Sequence, residues 1–143
     1  MIILDTNVVS EPLRPSADPS VRAWLDQQIV ETLFLTTISL AELQCGVAAL
    51  PDGTRRTGLE KAFHGRIRAL FGDRILPFDE TAAGAYAVIR SRAKTAGRAI
   101  AAADGYIAAT AAARGFAVAT RDVAPFEAAG VTVVNPLDFT APD

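Results

Sequence analysis

Ile2-Ile3-Leu4-Asp5-Thr6-Asn7 is the segment from which the architecture of this chain follows most directly. Three consecutive apolar residues without polar alternation are typical of a strand that is buried on both faces of a parallel sheet. Asp5 follows at once, and Asp, Thr and Asn are residues that end strands and cap helices. The segment therefore predicts a buried strand over residues 2–4, then a short helix, with a carboxylate at the junction.

The same alternation of short apolar runs and helical segments continues along the chain. Further strands are predicted at residues 33–35, 74–78, 117–119 and 131–134. Helices are predicted from Pro19, from Ser39 as an N-cap, over 55–70, from Asp79 to about Thr95, and from Ala101 to Arg114 before Gly115. This pattern predicts one α/β domain over residues 1–143, with three layers and a mostly parallel sheet of about five strands flanked by helices.

Composition excludes several classes of protein. No apolar run approaches the roughly 18 residues that a membrane span needs, and residues 1–4 do not resemble a secretion signal, so we expect a cytoplasmic protein. Cys45 and His64 are the only residues of their kinds. A disulfide framework, a Cys/His zinc site and a histidine-based nucleophilic dyad are therefore not expected. We expect Cys45 to be a small buried residue and His64 to be solvated or packed.

Charge is distributed unevenly. The net charge is −2, yet residues 55–98 hold ten basic residues against four acidic ones. A basic flank beside an acidic pocket suits a polyanion that is gripped on one surface and cut at another. A solvated helical face explains the same residues without any ligand. The candidate RNA contacts are Arg90, Arg92, Lys94, Arg98 and Arg121, of which Arg121 can equally be a surface charge.

Four acidic residues fall at junctions between predicted elements. Asp5 and Asp122 follow strands, and Glu42 and Asp104 lie near the starts of helices. Ligand sites of open α/β sheets lie at the carboxyl ends of the strands, so these four side chains can converge. Each also has a purely structural interpretation as a helix cap, a capping-box partner, a charge at a helix start or a turn residue. Nearby polar residues either cap helices or orient the carboxylates: Thr6, Asn7 and Thr120.

Convergence of these carboxylates would require a cation. Unpaired carboxylates a few ångströms apart repel one another, and Mg²⁺ or Mn²⁺ relieves that repulsion through oxygen ligands. One or two such ions can activate a water and hold a phosphodiester in line for attack. No Gly-rich phosphate loop is present, so the common nucleotide-binding enzymes are disfavoured.

Four motifs together resemble the signatures of PIN-domain nucleases. They are Ile3-Leu4-Asp5-Thr6-Asn7, Ser39-Leu40-Ala41-Glu42-Leu43, Ala103-Asp104 and Ala119-Thr120-Arg121-Asp122. More narrowly, the chain is similar to the VapC toxins of bacterial toxin–antitoxin pairs, and among them to the FitB-like proteins. The segments that carry this narrower similarity are Ser10 to Pro15, Arg74 to Glu80 and Ala101 to Ala111.

The resemblance implies an endoribonuclease that depends on Mg²⁺, or on Mn²⁺ in its place. It implies Asp5, Glu42, Asp104 and Asp122 as metal ligands, a homodimer, and a complex with a small DNA-binding antitoxin of the ribbon-helix-helix type that binds its own promoter. One departure concerns Pro125, because many relatives carry an acid at that place. Asp122 then has to supply the fourth carboxylate; without it, three acids would hold one ion well and a second poorly.

A different class of function fits the same residues. In this alternative the chain is a weakly catalytic or non-catalytic regulatory subunit, and its acidic pocket docks an Arg or Lys of the DNA-binding antitoxin. A carboxylate cluster binds a guanidinium group as readily as it binds a metal ion.

Overall fold

A five-stranded parallel sheet forms the centre of the computed structural model, which describes all residues from Met1 to Asp143. The strands are β1 (Ile2–Leu4), β2 (Leu33–Thr36), β3 (Ile75–Leu76), β4 (Ala117–Ala119) and β5 (Val133–Val134). Their order is β3-β2-β1-β4-β5, and every neighbouring pair is parallel. The predicted parallel sheet of about five strands is confirmed.

Eight α-helices connect and flank the strands. They are α1 (Thr6–Val9), α2 (Pro19–Asp26), α3 (Thr37–Ala48), α4 (Thr54–Ala62), α5 (Arg68–Phe71), α6 (Glu80–Thr95), α7 (Ala102–Arg114) and α8 (Val123–Ala128). A π-helical turn (Phe63–Ile67) joins α4 to α5, so the helix predicted over 55–70 is continuous but has a π-turn in its middle. Gly115 ends α7 in the left-handed region, as its sequence position predicted.

The two faces of the sheet carry separate apolar cores, which makes the domain three-layered. Alternation along β1 directs Ile3 into one core and Leu4 into the other. The Leu4 core contains residues from α1, α2, α3 and the π-turn, and the Ile3 core contains residues from α6, α7 and α8. None of the helices is long and apolar enough to cross a bilayer.

The predicted cap of α3 is wrong by one turn. Thr36, not Ser39, is the N-cap: its hydroxyl accepts a hydrogen bond from the Ser39 backbone N–H over 3.0 Å. The helix starts earlier than the sequence suggested because Thr36 is the last residue of β2 and serves both elements. Ser39 is instead fully buried in the first turn of α3, and its hydroxyl has no hydrogen-bond partner in the protein.

Two other expectations need correction. The strand predicted over 74–78 is limited to Ile75–Leu76, because Pro77 has no N–H to continue the ladder. Cys45 was expected to be buried, but it is exposed on α3. Leu43 faces the core while Cys45, two residues later on the helix, faces away from it.

Strand order places a crevice next to β1. The chain passes from β1 to β2 and β3 on one side, and later returns to add β4 and β5 on the other. In open α/β sheets ligands bind at such a point of reversal, outside the carboxyl ends of the strands. Here those ends carry Asp5 after β1 and Thr120 after β4.

Candidate active site

Asp5 lies at the centre of the crevice and is 5% exposed. Its Oδ1 accepts a hydrogen bond from the Thr6 backbone N–H over 2.8 Å, which makes Asp5 the N-cap of α1. Its Oδ2 accepts hydrogen bonds from the Thr120 hydroxyl at 2.8 Å and from the Asn7 side-chain amide at 3.3 Å. The capping role and a role in the site are therefore compatible, since both oxygens are held in fixed directions.

Glu42 reaches the same crevice from α3. The helix starts at the carboxyl end of β2, next to β1, and Glu42 is exposed on it. The Thr6 hydroxyl donates a hydrogen bond of 2.8 Å to Oε1 of Glu42. Thr6 thus contacts Asp5 through its backbone and Glu42 through its side chain, and ties the two carboxylates together.

Asp122 follows β4, two residues beyond Thr120. Its backbone N–H donates to the Thr120 hydroxyl over 3.0 Å, which fixes the turn that carries it. Although Asp122 occupies the N-cap position of α8, its carboxylate makes no capping hydrogen bond and is exposed. This carboxylate is therefore available to a ligand.

Asp104 lies in the first turn of α7 and is partly buried. Burial raises its pKa from 3.8 to about 6, and the negative charges of Asp5, Asp122 and Glu42 add to the shift. The pKa of Asp5 is also raised, mainly by burial and further by Glu42 and Asp122, against the hydrogen bonds from Thr120 and Thr6. The four predicted acids therefore lie close enough for their charges to interact.

The spacing of these carboxylates bears on how a metal ion could bind. No three side chains of Asp, Glu, His or Cys are close enough to chelate an ion as they stand. Mg²⁺ usually keeps several waters and is held directly by one or two carboxylates, so it does not need such a cluster. The donors are all oxygen, and the Ser39 hydroxyl, buried one turn before Glu42, lacks a protein partner. This donor chemistry fits a hydrated hard cation.

Three of the predicted RNA contacts lie together. Arg90, Lys94 and Arg98 line a groove of about 600 Å³ at the end of α6, and no acidic residue lines it. Arg90 is fixed there, because its guanidinium donates to the Ile100 carbonyl over 3.3 Å and lies over the Tyr86 ring. Arg98 also lines an adjoining groove with Asp122, whereas Arg92 lines neither. The basic groove therefore adjoins the acidic crevice through Arg98.

Arg121 has a protein partner that the sequence analysis missed. Its guanidinium donates to the carboxylate of Glu11, a residue that is 2% exposed. In the sequence, Glu11 is noted only as part of the segment Ser10 to Pro15. No periodic pattern could pair it with a residue 110 positions away.

Comparison with known proteins identifies the family. The PIN domain model matches residues 2–131 of the chain. The chain belongs to the PIN-domain family. The resemblance predicted from the four motifs is confirmed, and these motifs occupy the crevice described above.

Relatives of similar length match nearly the whole chain. Toxin FitB of Neisseria gonorrhoeae is 55% identical, covering 95% of this chain and 98% of its own length. VapC ribonuclease Y4jK of Sinorhizobium fredii is 52% identical, covering 95% and 97%. Among solved structures, FitAcB from Neisseria gonorrhoeae superposes with a TM-score of 0.94 at 54% identity, covering 97% of this chain and all of that one. A structure of FitAB bound to an IR36 DNA fragment gives 0.95 at 52%, covering 99% of each.

Proposed function

We propose that this chain is the toxin of a bacterial type II toxin–antitoxin pair and acts as a divalent-metal-dependent endoribonuclease. The observation that carries the proposal is the set of four mutually repelling carboxylates at the strand-order reversal, with the pKa of Asp104 raised to about 6. It is supported by relatives named VapC ribonuclease and Toxin FitB at more than half identity. Carboxylates whose charges raise one another's pKa are stabilised most directly by a cation.

The residues of the site would have two kinds of role, holding the ion and orienting the carboxylates. Asp5 and Asp104 would hold the ion, because they are the two acids whose pKa is raised by burial and by the other carboxylates. Glu42 and Asp122 would complete its surroundings from α3 and from the turn after β4. Thr6, Asn7 and Thr120 orient these carboxylates through the hydrogen bonds already described. When bound, Mg²⁺, or Mn²⁺ in its place, would polarise the phosphodiester and lower the pKa of an attacking water.

The basic groove is the proposed path of the RNA backbone. Lys94 and Arg98 are exposed and have no acidic partner within ion-pair distance, so their charge is available to phosphates. Arg98 and Asp122 line one adjoining groove, so a strand lying in the basic groove would lead toward the acidic crevice. Arg90 would contribute charge from a fixed position.

Further partners are proposed from the relatives. A small antitoxin, of the ribbon-helix-helix type, would bind the chain, and the complex would bind DNA, as the FitAB structure with its DNA fragment suggests. We also propose that the chain forms a homodimer and that residues 1–143 act as one domain.

Brief induction of the chain in cells, followed by sequencing of the RNA fragments released, tests the proposal. Fragments with shared cleavage sites should accumulate with the wild type and disappear with Asp5→Asn. Asp26→Asn is the matched control, since Asp26 is exposed at the end of α2 and makes no side-chain hydrogen bond or ion pair. Equal fragment patterns for all three proteins would reject the proposed nuclease.

A non-catalytic regulatory subunit is the second candidate. It is favoured by a groove of about 320 Å³ whose lining combines the Glu42 carboxylate with apolar side chains such as Leu43 and Leu59, and also includes Arg14 and Arg55. A partner segment with a terminal Arg or Lys would fit such a groove. Melting temperatures during a Mn²⁺ titration separate the two functions. Stabilisation that is lost in Asp104→Asn favours the nuclease, and no stabilisation favours the subunit.

A further inference from the structure

Glu11 is the most deeply buried acidic residue of the chain, although it belongs to none of the four motifs. It is 2% exposed, and it lies in the 3₁₀ turn Glu11–Leu13 after α1. Its Oε1 accepts a hydrogen bond of 2.8 Å from the Asp18 backbone N–H, and its Oε2 receives the Arg121 guanidinium. The Arg14 guanidinium also approaches Oε2, at 3.5 Å, but the Arg14 side chain is 57% exposed whereas that of Arg121 is 30% exposed. A glutamate is rarely buried unless it is paired, so these contacts, chiefly the shorter one with Arg121, allow the burial of Glu11.

Arg121 lies between two residues of the candidate site. Thr120 before it donates to Asp5, and Asp122 after it supplies an exposed carboxylate. The Arg121 backbone N–H also donates to Oδ1 of Asn7 over 3.1 Å, while the Asn7 amide donates to Asp5. Anchoring the Arg121 side chain therefore fixes a segment that contacts Asp5 from two directions.

Glu11 itself makes no hydrogen bond or ion pair with any of the four acids. Its hydrogen-bonded route to them passes through Arg121 and, from there, through the backbone of residues 120–122 and the Asn7 amide. Glu11 also lies close in sequence to Asn7, so the ion pair joins the end of α1 to the turn after β4. These are the two chain segments whose relative position sets the distance between Asp5 and Asp122.

We propose that Glu11 is a positioning residue of the acidic site, acting through Arg121 to set the placement of Asp5 and Asp122. The proposal rests on the proposed metal site for its functional consequence. It also gives Arg121 a role different from the RNA contact that the sequence suggested. The guanidinium is engaged on the protein side by a buried carboxylate and serves to hold the turn.

The experiment compares Mn²⁺ affinity by titration calorimetry in wild type, Glu11→Gln, Arg121→Gln and the double variant. Each single change should weaken Mn²⁺ binding by about 10- to 100-fold, the usual effect of losing a residue that supports metal ligands. The double variant should bind Mn²⁺ no more weakly than the single variant with the lower affinity, because both single changes remove the same contact between Glu11 and Arg121. Arg56→Gln is the matched control, since Arg56 forms ion pairs with Asp52 and Glu60 away from the crevice.

Two outcomes would overturn the proposal. If Glu11→Gln binds Mn²⁺ like the wild type and only its melting temperature falls, Glu11 has a merely structural role. If the fold-losses in Mn²⁺ affinity of the two single variants multiply in the double variant, Glu11 does not act through Arg121. Should Glu11→Gln fail to fold, Arg121→Lys replaces it. This variant keeps the charge beside Glu11 but loses the planar fork, and it should weaken Mn²⁺ binding less than Arg121→Gln.

A readout without metal separates this proposal from the proposed function. Amide ¹H–¹⁵N spectra of the metal-free protein report the backbone N–H groups of Thr6, Arg121 and Asp122, which donate to Asp5, Asn7 and Thr120. These three signals should shift in Glu11→Gln and stay in place in Arg56→Gln. Unchanged signals would reject the positioning role. If the wild type binds no Mn²⁺ while these signals shift in Glu11→Gln, the metal site is rejected and the positioning role stands.

Discussion

The Thr120 hydroxyl donates a hydrogen bond of 2.8 Å to Oδ2 of Asp5, across 115 residues of sequence. The hydroxyl oxygen of Thr120 also accepts a hydrogen bond from the Asp122 backbone N–H, so one buried side chain joins two of the four acids. Replacing Thr120 by Val keeps its size and removes both hydrogen bonds. We expect the rate of RNA cleavage to fall by about 10- to 100-fold, and the Mg²⁺ concentration required for half-maximal rate to rise.

Thr120→Ser is the control for that prediction because it keeps the hydroxyl and loses a methyl group. It should retain most of the wild-type rate at saturating Mg²⁺. Equal rates for Thr120→Val and wild type would show that Asp5 does not need this hydrogen bond.

The raised pKa of Asp104 predicts a pH-dependent cost in stability. Because its pKa is about 6 in the folded protein and 3.8 in an unfolded chain, the folded state binds the proton more tightly. The cost is fully present above pH 6 and is relieved as the pH falls from about 6 toward 4. Metal-free Asp104→Asn should therefore melt above the wild type at pH 7.5, and the difference should shrink by pH 4.5. Thermal unfolding at both pH values checks this, and a difference that grows at low pH would contradict it.

Gly105, directly after Asp104, allows α7 to approach α6. A Cβ at this position would lie 2.9 Å from Cε2 of Tyr86, whose ring packs against Phe78 and Tyr106. We expect Gly105→Ala to destabilise the fold by about 1–3 kcal/mol through overpacking, and to reduce cleavage by displacing Asp104. Urea unfolding measures the first effect.

Gly84→Ala is the matched control on α6, where an added Cβ meets nothing within 4 Å. This change should stabilise the helix by about 0.5–1 kcal/mol, because Ala is the better helix former. Destabilisation by both substitutions would mean that the contact with Tyr86 is not the cause.

The basic groove predicts salt-dependent binding of RNA. In an Asp5→Asn background, which prevents cleavage, Lys94→Gln with Arg98→Gln should weaken binding of a labelled single-stranded RNA. The slope of log affinity against log salt should fall by about 1.4, since each lost phosphate contact contributes about 0.7. Fluorescence anisotropy at several salt concentrations measures it. Arg22→Gln with Lys61→Gln removes the same charge elsewhere and should leave the slope unchanged.

Short-range signals explain the parts of the fold that were predictable. β1 and β4 are uninterrupted apolar triplets that end at Asp5 and Thr120, so strand, terminus and site residue coincide within a few positions. Strand ends at one edge of a parallel sheet must lie near one another. For that reason the sequence alone predicts Asp5 and Asp122 in one site.

Long-range and competing local effects explain what was missed. Thr36 and Ser39 are both good helix caps, and the end of β2 decides between them. Cys45 was expected to be buried from its residue type alone, but its side of α3 has no neighbouring layer. Glu11 is paired with Arg121, 110 residues later in the chain, and an acidic residue before a proline gives no local indication of such a partner.

Cleavage of RNA by the purified chain across a Mg²⁺ titration, with Asp5→Asn and Asp26→Asn beside the wild type, tests the acidic site most directly. Asn at position 5 keeps an oxygen for the Thr6 N–H but lacks the charge that holds a cation. Wild type and Asp26→Asn should show no cleavage without Mg²⁺ and the same saturable rise with it. Asp5→Asn should lose more than about a hundredfold in rate while melting cooperatively, since even residues that only support metal ligands contribute 10- to 100-fold. Cleavage by Asp5→Asn at the wild-type rate, or cleavage that persists in a chelator, would contradict the account.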